Sequence, residues 1–348
     1  MVQHTQSLNP KLQKPVCSIC IANFNGRNTL AACLDSILQQ TFDLPIEIIV
    51  HDDASTDDSV PYLLENYPNI ELLISKQNCG FCVSNNRMVD IARGEFILLL
   101  NNDAALYPDA LKTLYDYASK QPVKGILGLP QYEMQTGELI DIGEFFDPFL
   151  NPLPNLEYAS QPVGMIIGAC LWLPRTLWVE LGGFPDWFHT LAEDMFLCCY
   201  ARIKGYPVEA VAISGFRHLV GKSLGGGKVV NNRLSTSFKR RALSERNRLY
   251  VMAMCYPSPF VWIILPLHIV LLLIEGCMLA LLKKDAKILD SIYLSACKAF
   301  WQNHKKLFKL RCEIQRKRKI NYKDFFSTFS IVPYKVKMLI KHGFPNIT

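Results

Sequence analysis

The chain has little that would direct it out of the cell, because its first 15 residues, Met1 to Pro15, are polar and contain no apolar stretch of signal-peptide type. The part that does chemistry is therefore expected in the cytoplasm. Internal repeats and low-complexity tracts are absent, which leaves no sign of a solenoid or a long linker. Gly225-Gly226-Gly227-Lys228 is followed by Val229 rather than Ser or Thr, so the spacing of a phosphate-binding P-loop is missing. A disulfide framework is absent as well. The 12 cysteines are scattered through strand-like and helix-like patterns, with Cys277 inside an apolar run, as befits reduced thiols that pack like small apolar groups. Two Cys-x-x-Cys pairs occur, Cys17/Cys20 and Cys79/Cys82. The first lies in a strand pattern, where positions i and i+3 face opposite ways, which argues against a shared zinc ion.

What is present is apolar and unevenly charged. Half of the 348 residues are hydrophobic, enough for one α/β domain with an appended module. The apolar excess is concentrated between Phe260 and Leu282, interrupted by Pro266, His268, Glu275 and Gly276, and that stretch is long enough to span a bilayer. Residues 283 to 348 hold 16 Lys+Arg against 4 Asp+Glu, so a tail of +12 follows a front of −6 within the overall +6. Such a tail is drawn to anionic lipid, and the apolar residues spaced along it (Leu307, Leu310, Ile314, Phe325, Phe326) suit interfacial helices better than nucleic-acid contacts. Basic residues flank the apolar segment on both sides, Lys239 to Arg248 before it and Lys283, Lys284 and Lys287 after it, so the positive-inside rule prefers neither side. Three readings stand: a single crossing, a re-entrant or in-plane hairpin bent at Pro266, and a buried helix pair.

The front of the chain alternates strand, polar loop and helix. Val16-Cys17-Ser18-Ile19-Cys20-Ile21-Ala22 runs into Asn23-Phe24-Asn25-Gly26. Ile46-Glu47-Ile48-Ile49-Val50 runs into Asp52-Asp53-Ala54-Ser55-Thr56-Asp57-Asp58. Phe96-Ile97-Leu98-Leu99-Leu100 runs into Asn101-Asn102-Asp103. In an open α/β sheet the ends of such strands are where ligands bind. One carboxylate there is explained by an Asx-type turn, with Asp103 capping the next helix. Two acidic clusters converging on one cleft point instead to a metal ion and a nucleotide, because like charges repel unless a cation or donors compensate them.

Eight short motifs in order carry a resemblance: Ser18 to Asn25, Asp52 to Asp57, Asn78-Cys79-Gly80-Phe81, Leu100-Asn101-Asn102-Asp103, Gly168-Ala169-Cys170, Gly182-Gly183-Phe184, Glu193-Asp194, and His218-Leu219-Val220-Gly221-Lys222-Ser223. Over roughly residues 15 to 250 the chain resembles a family 2 glycosyltransferase of the GT-A fold, in particular the rhamnosyltransferase-like branch. The resemblance implies a Rossmann-like α/β nucleotide-diphospho-sugar transferase domain with a C-terminal helical, membrane-associated module. It divides the chain into a flexible tail (1–14), a catalytic domain (15–240) and a helical, basic region (241–348) containing the apolar segment 260–282.

Carried over residue by residue, the resemblance implies that Ala22, Phe24, Asn25, Asp53 and Asn102 hold the nucleotide. Asp103, with His218 as a second ligand, would bind a divalent metal, Mg²⁺ or Mn²⁺; the alternative for His218 is a satisfied structural histidine. Asn101 stands where the commoner Asp-x-Asp motif has its first carboxylate, which leaves one firm carboxylate ligand beside the donor diphosphate and water. Asp194 would be the catalytic base, in an acidic pair opening an apolar helical pattern, where helix capping is the plainer explanation. Asn78, Gly80, Gly183, Trp187 and Glu193 would meet substrate or acceptor. Gly182 and Gly183 are expected to give a flexible acceptor loop. Trp172 and Trp178 read better as core than as sugar platforms. Lys222, Lys228 and Arg233 are candidate phosphate contacts on a lid.

Together these imply an inverting transferase. It would move a sugar, rhamnose on the resemblance, from a nucleotide donor to a lipid-linked saccharide or polysaccharide at the cytoplasmic face of the cell membrane, with no nucleic-acid partner. The helix-like stretch Ser235 to Met254 would lead from the catalytic part to the apolar segment. Two other classes stay open: a catalytically silent nucleotide-sugar or glycan-binding membrane scaffold, and a sugar nucleotidyltransferase.

Overall fold

The computed structural model describes residues 2–5, 14–219, 226–230 and 233–347, and its contacts divide the chain into two compact units. The first comprises Met1–Gly143, Pro154–Ala201 and Tyr206–Leu219. Its core is a nine-stranded sheet in the order Val2–Thr5, Glu71–Ser75, Ile46–Asp52, Cys17–Asn23, Phe96–Leu100, Cys170–Pro174, Ile126–Gly128, Val208–Ala210, Gln161–Pro162. The four strands from Glu71–Ser75 to Phe96–Leu100 run parallel, with Cys17 opposite both Ile46 and Phe96. Each is largely apolar and buried on both faces, as a parallel strand covered by helices must be. Cys170–Pro174 then pairs antiparallel to Phe96–Leu100, Cys170 opposite Leu100, so Ala169 and Gly168 arrive beside the mouth of the central strands.

The helices Arg27–Leu38, Ser59–Asn66 and Phe81–Ile91 cross between these strands. Leu30, Cys33, Leu34 and Ile37 of the first helix repeat at helical spacing and are all buried, with the strands' Ile19, Val50 and Leu98 in the same apolar cluster. Trp172 is fully buried and stacks on Phe96 with centroids 4.9 Å apart, and Trp178 is buried against Phe184; both are core residues. A second sheet of short strands, in the order Ala104–Leu106, Phe216–His218, Gln131–Glu133, Leu139–Asp141, aligns His218 opposite Ala104. All cysteines are free thiols. The stretch read as a tail contributes Val2–Thr5 to the sheet edge, antiparallel to Glu71–Ser75.

The second unit comprises Glu144–Leu153, Arg202–Gly205 and Val220–Thr348. It is helical, built on Phe238–Cys255, Val261–Lys283, Ser295–Arg316 and Tyr334–His342, with Ser237 accepting the Arg240 N–H as N-cap of the first. Pro266 does not bend the apolar segment into a hairpin. Val261–Lys283 is one continuous helix that carries Pro266 in its second turn, where the proline removes one donor to the preceding turn without ending the helix. One face of this helix, Val261, Leu265, His268, Leu272, Gly276 and Leu279, is buried, whereas Trp262, Ile263, Leu267, Val270, Ile274 and Leu281 are exposed. Among the described residues it is the one helix long and apolar enough to cross a membrane, by length and composition.

Candidate functional site

The strand ends of the first unit build a hydrogen-bonded cradle. Asn23 Nδ2 donates to Asp52 Oδ2 (2.8 Å), and Asn23 Oδ1 accepts from Asn102 Nδ2 (2.7 Å), so two neighbouring parallel strands are tied through a third. Ser55 Oγ donates to Asp52 Oδ2 (2.7 Å) and accepts the Asn25 N–H (2.9 Å), while Asn25 Oδ1 accepts the Thr56 N–H (2.8 Å). Gly26 has to be glycine here: a Cβ would lie 2.1 Å from Asn102 Nδ2 and 2.2 Å from Asn23 Oδ1. Asn25 and Ala54 both have positive φ, a conformation that non-glycine residues keep only where the surroundings fix it. Phe24 stands at the rim, 51% exposed, with Ala22 half-buried below it.

Asp53 lies at the same end and is almost fully buried. Its Oδ1 accepts the Cys79 N–H (2.7 Å) and its Oδ2 the Gly80 N–H (2.8 Å), and Asn78 Nδ2 reaches its backbone carbonyl at 3.4 Å. The carboxylate thus pins the turn into the Phe81–Ile91 helix, and Gly80 closes that turn with φ +89°. Arg87, from the same helix, donates to Ser75 Oγ (2.8 Å) and approaches His51 Nε2 and Cys79 Sγ, each at 3.4 Å. Burial pushes His51 down to about 4; Asp53 and Asp52 oppose that shift and Arg87 adds to it. Burial and the contact with Asp53 push the Cys79 thiol up. His51, Asp53 and Cys79 hold candidate ligand atoms within 4.8 Å of one another. The adjacent guanidinium and the amides already on Asp53 make this a poor cation site.

Asp103 does not cap the next helix. Its Oδ1 lies 3.1 Å from His218 Nε2, both side chains buried, and Asn101 Nδ2 approaches the same nitrogen at 3.3 Å. On the ring's far side Gln131 Nε2 lies 3.0 Å from His218 Nδ1, leaving Gln131 Oε1 buried with no partner. That orphaned oxygen fits a metal. Rotating the Gln131 amide lets Oε1 accept an Nδ1–H, which frees the Nε2 lone pair for an ion shared with Asp103. Asn23, Asp52 and Ser55 lie inside the strand-end motifs but have no role of their own there, and Gln131 is not singled out at all, because one polar residue in a short strand has no motif.

Asp194 begins the Glu193–Ile203 helix. Its Oδ2 accepts the Gly168 N–H (3.0 Å) and its Oδ1 the Met195 N–H (2.7 Å), and both it and Glu193 are buried. The chain enters through His189, Leu191 and Ala192, all with positive φ, so a strained turn delivers this acid. The glycine pair is pinned rather than free. Gly182 ends the Arg175–Leu181 helix in the left-handed conformation, and Asn86 Oδ1 accepts the Phe184 N–H (3.0 Å) while a Cβ on Gly183 would lie 2.7 Å from that oxygen. Trp187 is half-buried against Phe188. Val220, Gly221, Lys222, Ser223 and Gly225 lie outside the described residues, and Lys228 and Arg233 are described in backbone alone.

Residues 18–176 match the Glycosyl transferase family 2. The chain is similar to an uncharacterized glycosyltransferase, YibD, of Escherichia coli, 35% identical over 104 residues covering 29% of this chain and 30% of that one. It is also similar to the N-acetylglucosaminyl-diphospho-decaprenol L-rhamnosyltransferase of Mycobacterium tuberculosis, 27% identical over 183 residues, 44% of this chain and 60% of that one. The chain thus spans between about a third and three-fifths of the length of these relatives. In fold it is similar to a mannosyltransferase from Pyrobaculum calidifontis in complex with GDP-Man and Mn²⁺, with TM-score 0.52, 17% identity, and coverage of 85% of this chain and 90% of that one. The motifs at the ends of the parallel strands lie inside the matched span, so residues 18–176 match a family 2 glycosyltransferase domain, and the fold is similar to the GT-A architecture.

Proposed function

We propose that the chain is a metal-dependent, inverting glycosyltransferase that moves a sugar from a nucleotide diphosphate to a lipid-linked or polysaccharide acceptor at the cytoplasmic face of the membrane. The observation that carries this reading is the Asp103–His218 pair, 3.1 Å apart beside the Asn23–Asn102 cradle, with the unpartnered Gln131 oxygen behind it. Asp103 and His218 would hold Mn²⁺ or Mg²⁺, which when bound supplies positive charge against a departing diphosphate. The family match and the Mn²⁺ in the mannosyltransferase structure support that assignment. Rhamnose is the first donor sugar to try, and a polyprenyl-diphosphate saccharide the first acceptor, from the mycobacterial relative's name.

In this reading Phe24 and Ala22 offer the base an apolar rim. Asn25 and Asn102, fixed by Ser55 and Asn23, present polar edges to the ribose and phosphates, and Asp53 keeps the Asn78–Gly80 turn in place to meet the sugar. Asp194 takes the acceptor hydroxyl's proton while that oxygen attacks the anomeric carbon from the face opposite the leaving group, inverting its configuration. The two backbone N–H groups aim the carboxylate. Gly183, Trp187 and Glu193, on the same stretch, are the proposed acceptor wall.

The test is nucleoside diphosphate release from a panel of nucleotide sugars, with Mn²⁺, Mg²⁺ or EDTA, on wild type and Asp194→Asn. Metal-dependent release that falls about 10²-fold or more in the variant is expected. Binding of donor without release, in the presence of a lipid-linked acceptor, refutes the transfer reading in favour of a silent binding protein. Release of inorganic diphosphate from a nucleoside triphosphate and a sugar phosphate refutes it in favour of a nucleotidyltransferase.

A further inference from the structure

The second unit has an apolar face that water does not suit. Along helix Val261–Lys283 the side chains of Trp262, Ile263, Val270, Ile274, Leu281 and Leu282 are exposed, and several share one stripe at helical spacing. The helix's one carboxylate, Glu275, turns from that stripe to Arg241 (2.5 Å) and Lys335 (2.7 Å), and His268 is buried, so no charge reaches the stripe before Lys283. The exposed side of a helix in water ordinarily carries charged and polar residues. Tyr334–His342 repeats the pattern: Val336, Leu339 and Ile340 are exposed together, with Lys337 and Lys341 exposed beside them. Val336 and Leu339 line the same open cavity as Ile274 and Met278, which makes the two stripes neighbours. On a third helix, Ser295–Arg316, Phe308 stacks on Trp262 with centroids 5.5 Å apart, and the exposed Trp301 lies two turns earlier on the same side. The apolar residues that the sequence offers to lipid point elsewhere: Leu307, Ile314 and Phe325 are buried.

Exposed apolar residues shared by three neighbouring helices mark an interaction surface, and charge selects its partner. Lys283, Lys284 and Lys287 close the first helix, and residues 283 to 348 carry 16 Lys+Arg against 4 Asp+Glu, a surplus of +12. A second copy of the chain would bring two such surpluses together, and lysine is depleted where proteins meet. An anionic bilayer answers both features, because the apolar side chains enter the acyl boundary while the lysines reach back to the head groups. Glu275 argues against a crossing, since it would carry Arg241 and Lys335 into hydrocarbon. We infer that the second unit docks on the surface of an anionic membrane, with Val261–Lys283 and Tyr334–His342 lying in the plane of the interface and Trp262, Ile263, Ile274 and Leu281 inserted. The inference rests on the membrane location proposed above and assigns it a surface, a lipid charge and a mode of attachment.

The purified full chain, without sugar nucleotide, is mixed with sealed vesicles of phosphatidylcholine, alone or with phosphatidylglycerol, and floated on a density gradient. Binding to the mixed vesicles is expected, at least about tenfold stronger than to phosphatidylcholine alone and weakened by high salt. Ile263→Glu and Ile274→Glu, both at exposed positions, should each weaken binding about tenfold or more while leaving the unfolding temperature close to wild type. Ile274→Trp, near the middle of the helix, reports depth. On vesicles its fluorescence, less that of the wild type, should be quenched more by lipids brominated near the head group than by lipids brominated at the chain end. Absence of flotation, or wild-type binding in both glutamate variants, overturns the surface. Equal binding to the two vesicle types overturns the charge argument, and stronger quenching from the chain ends overturns the in-plane mode in favour of a crossing. A dimer that Ile274→Glu dissociates, with no vesicle binding, overturns the lipid assignment in favour of a second copy. Because no donor is present, these outcomes are independent of whether the first unit transfers a sugar, and a chain that transfers sugar to a soluble acceptor yet never floats fails this inference alone.

Discussion

Removing His218 separates a metal ligand from an ordinary core histidine. In His218→Ala, Asp103 Oδ1 loses its 3.1 Å contact and Gln131 Nε2 its 3.0 Å contact, and Asn101 loses the weaker one at 3.3 Å. Asp103 and Gln131 are 5% and 1% exposed, so each becomes a buried polar group without that partner. At about 1–3 kcal/mol for each such group, the variant should be about 2–6 kcal/mol less stable in urea unfolding without metal, with water entering the space keeping the loss toward the lower figure. A structural histidine predicts that much and nothing more. If His218 and Asp103 share an ion, Mn²⁺ at about 100 times its dissociation constant should stabilise the wild type by about 2.7 kcal/mol, through preferential binding to the folded state. The variant should gain almost none of this, and Asp103→Asn likewise. Equal stabilisation of all three proteins by Mn²⁺ would refute the assignment, whatever their basal stabilities.

Gly26→Ala should break the 2.7 Å Asn102–Asn23 bond, because the added Cβ occupies the place of both amides; nucleoside diphosphate affinity measured calorimetrically should fall about tenfold, and unchanged affinity would disconnect that bond from the nucleotide. Two buried groups pull the pH profile in opposite directions. His51, lowered from 6.5 to about 4, contributes stability above pH 6.5 that is lost as pH falls toward 4, about 3 kcal/mol in all. Asp141, raised by burial from 3.8 to about 7, contributes stability below pH 3.8 that is lost as pH rises to 7, about 4 kcal/mol. Asp141→Asn removes the second effect alone, so its stability should drop more steeply than the wild type's on acidification from pH 7 to 4, by about that amount in paired urea titrations; parallel profiles would contradict it.

How much of this was legible in the sequence follows from what fixes each part. The parallel strands announced themselves because a strand covered on both faces is apolar along most of its length; Phe96–Leu100 is apolar throughout, and Ile46–Val50 departs from it only at Glu47, which accepts from Ser18 Oγ and pairs with Arg93. Polar residues at their ends then stood out against the runs, which is why Asp53, Asn102 and Asp103 could be singled out. Gln131 could not. It sits in a three-residue strand, and its relation to His218 exists only because Gln131–Glu133 pairs parallel to Phe216–His218 across 87 residues of chain. The same limit explains the glycine pair: paired glycines advertise freedom, but the left-handed cap at Gly182 and the bonds from Asn86, 98 residues away from Phe184, use them to fix a corner. In the apolar segment, the composition of Phe260–Leu282 was visible but its division into faces was not. His268, Gly276 and Leu279 are buried while Ile274 and Leu281 are exposed, a pattern set by the helices packed on one side and nearly invisible where both faces are apolar. That asymmetry, with Glu275 drawn into an ion network by Arg241 and Lys335, argues against this helix crossing a bilayer, since a spanning helix would carry that network into the hydrocarbon layer.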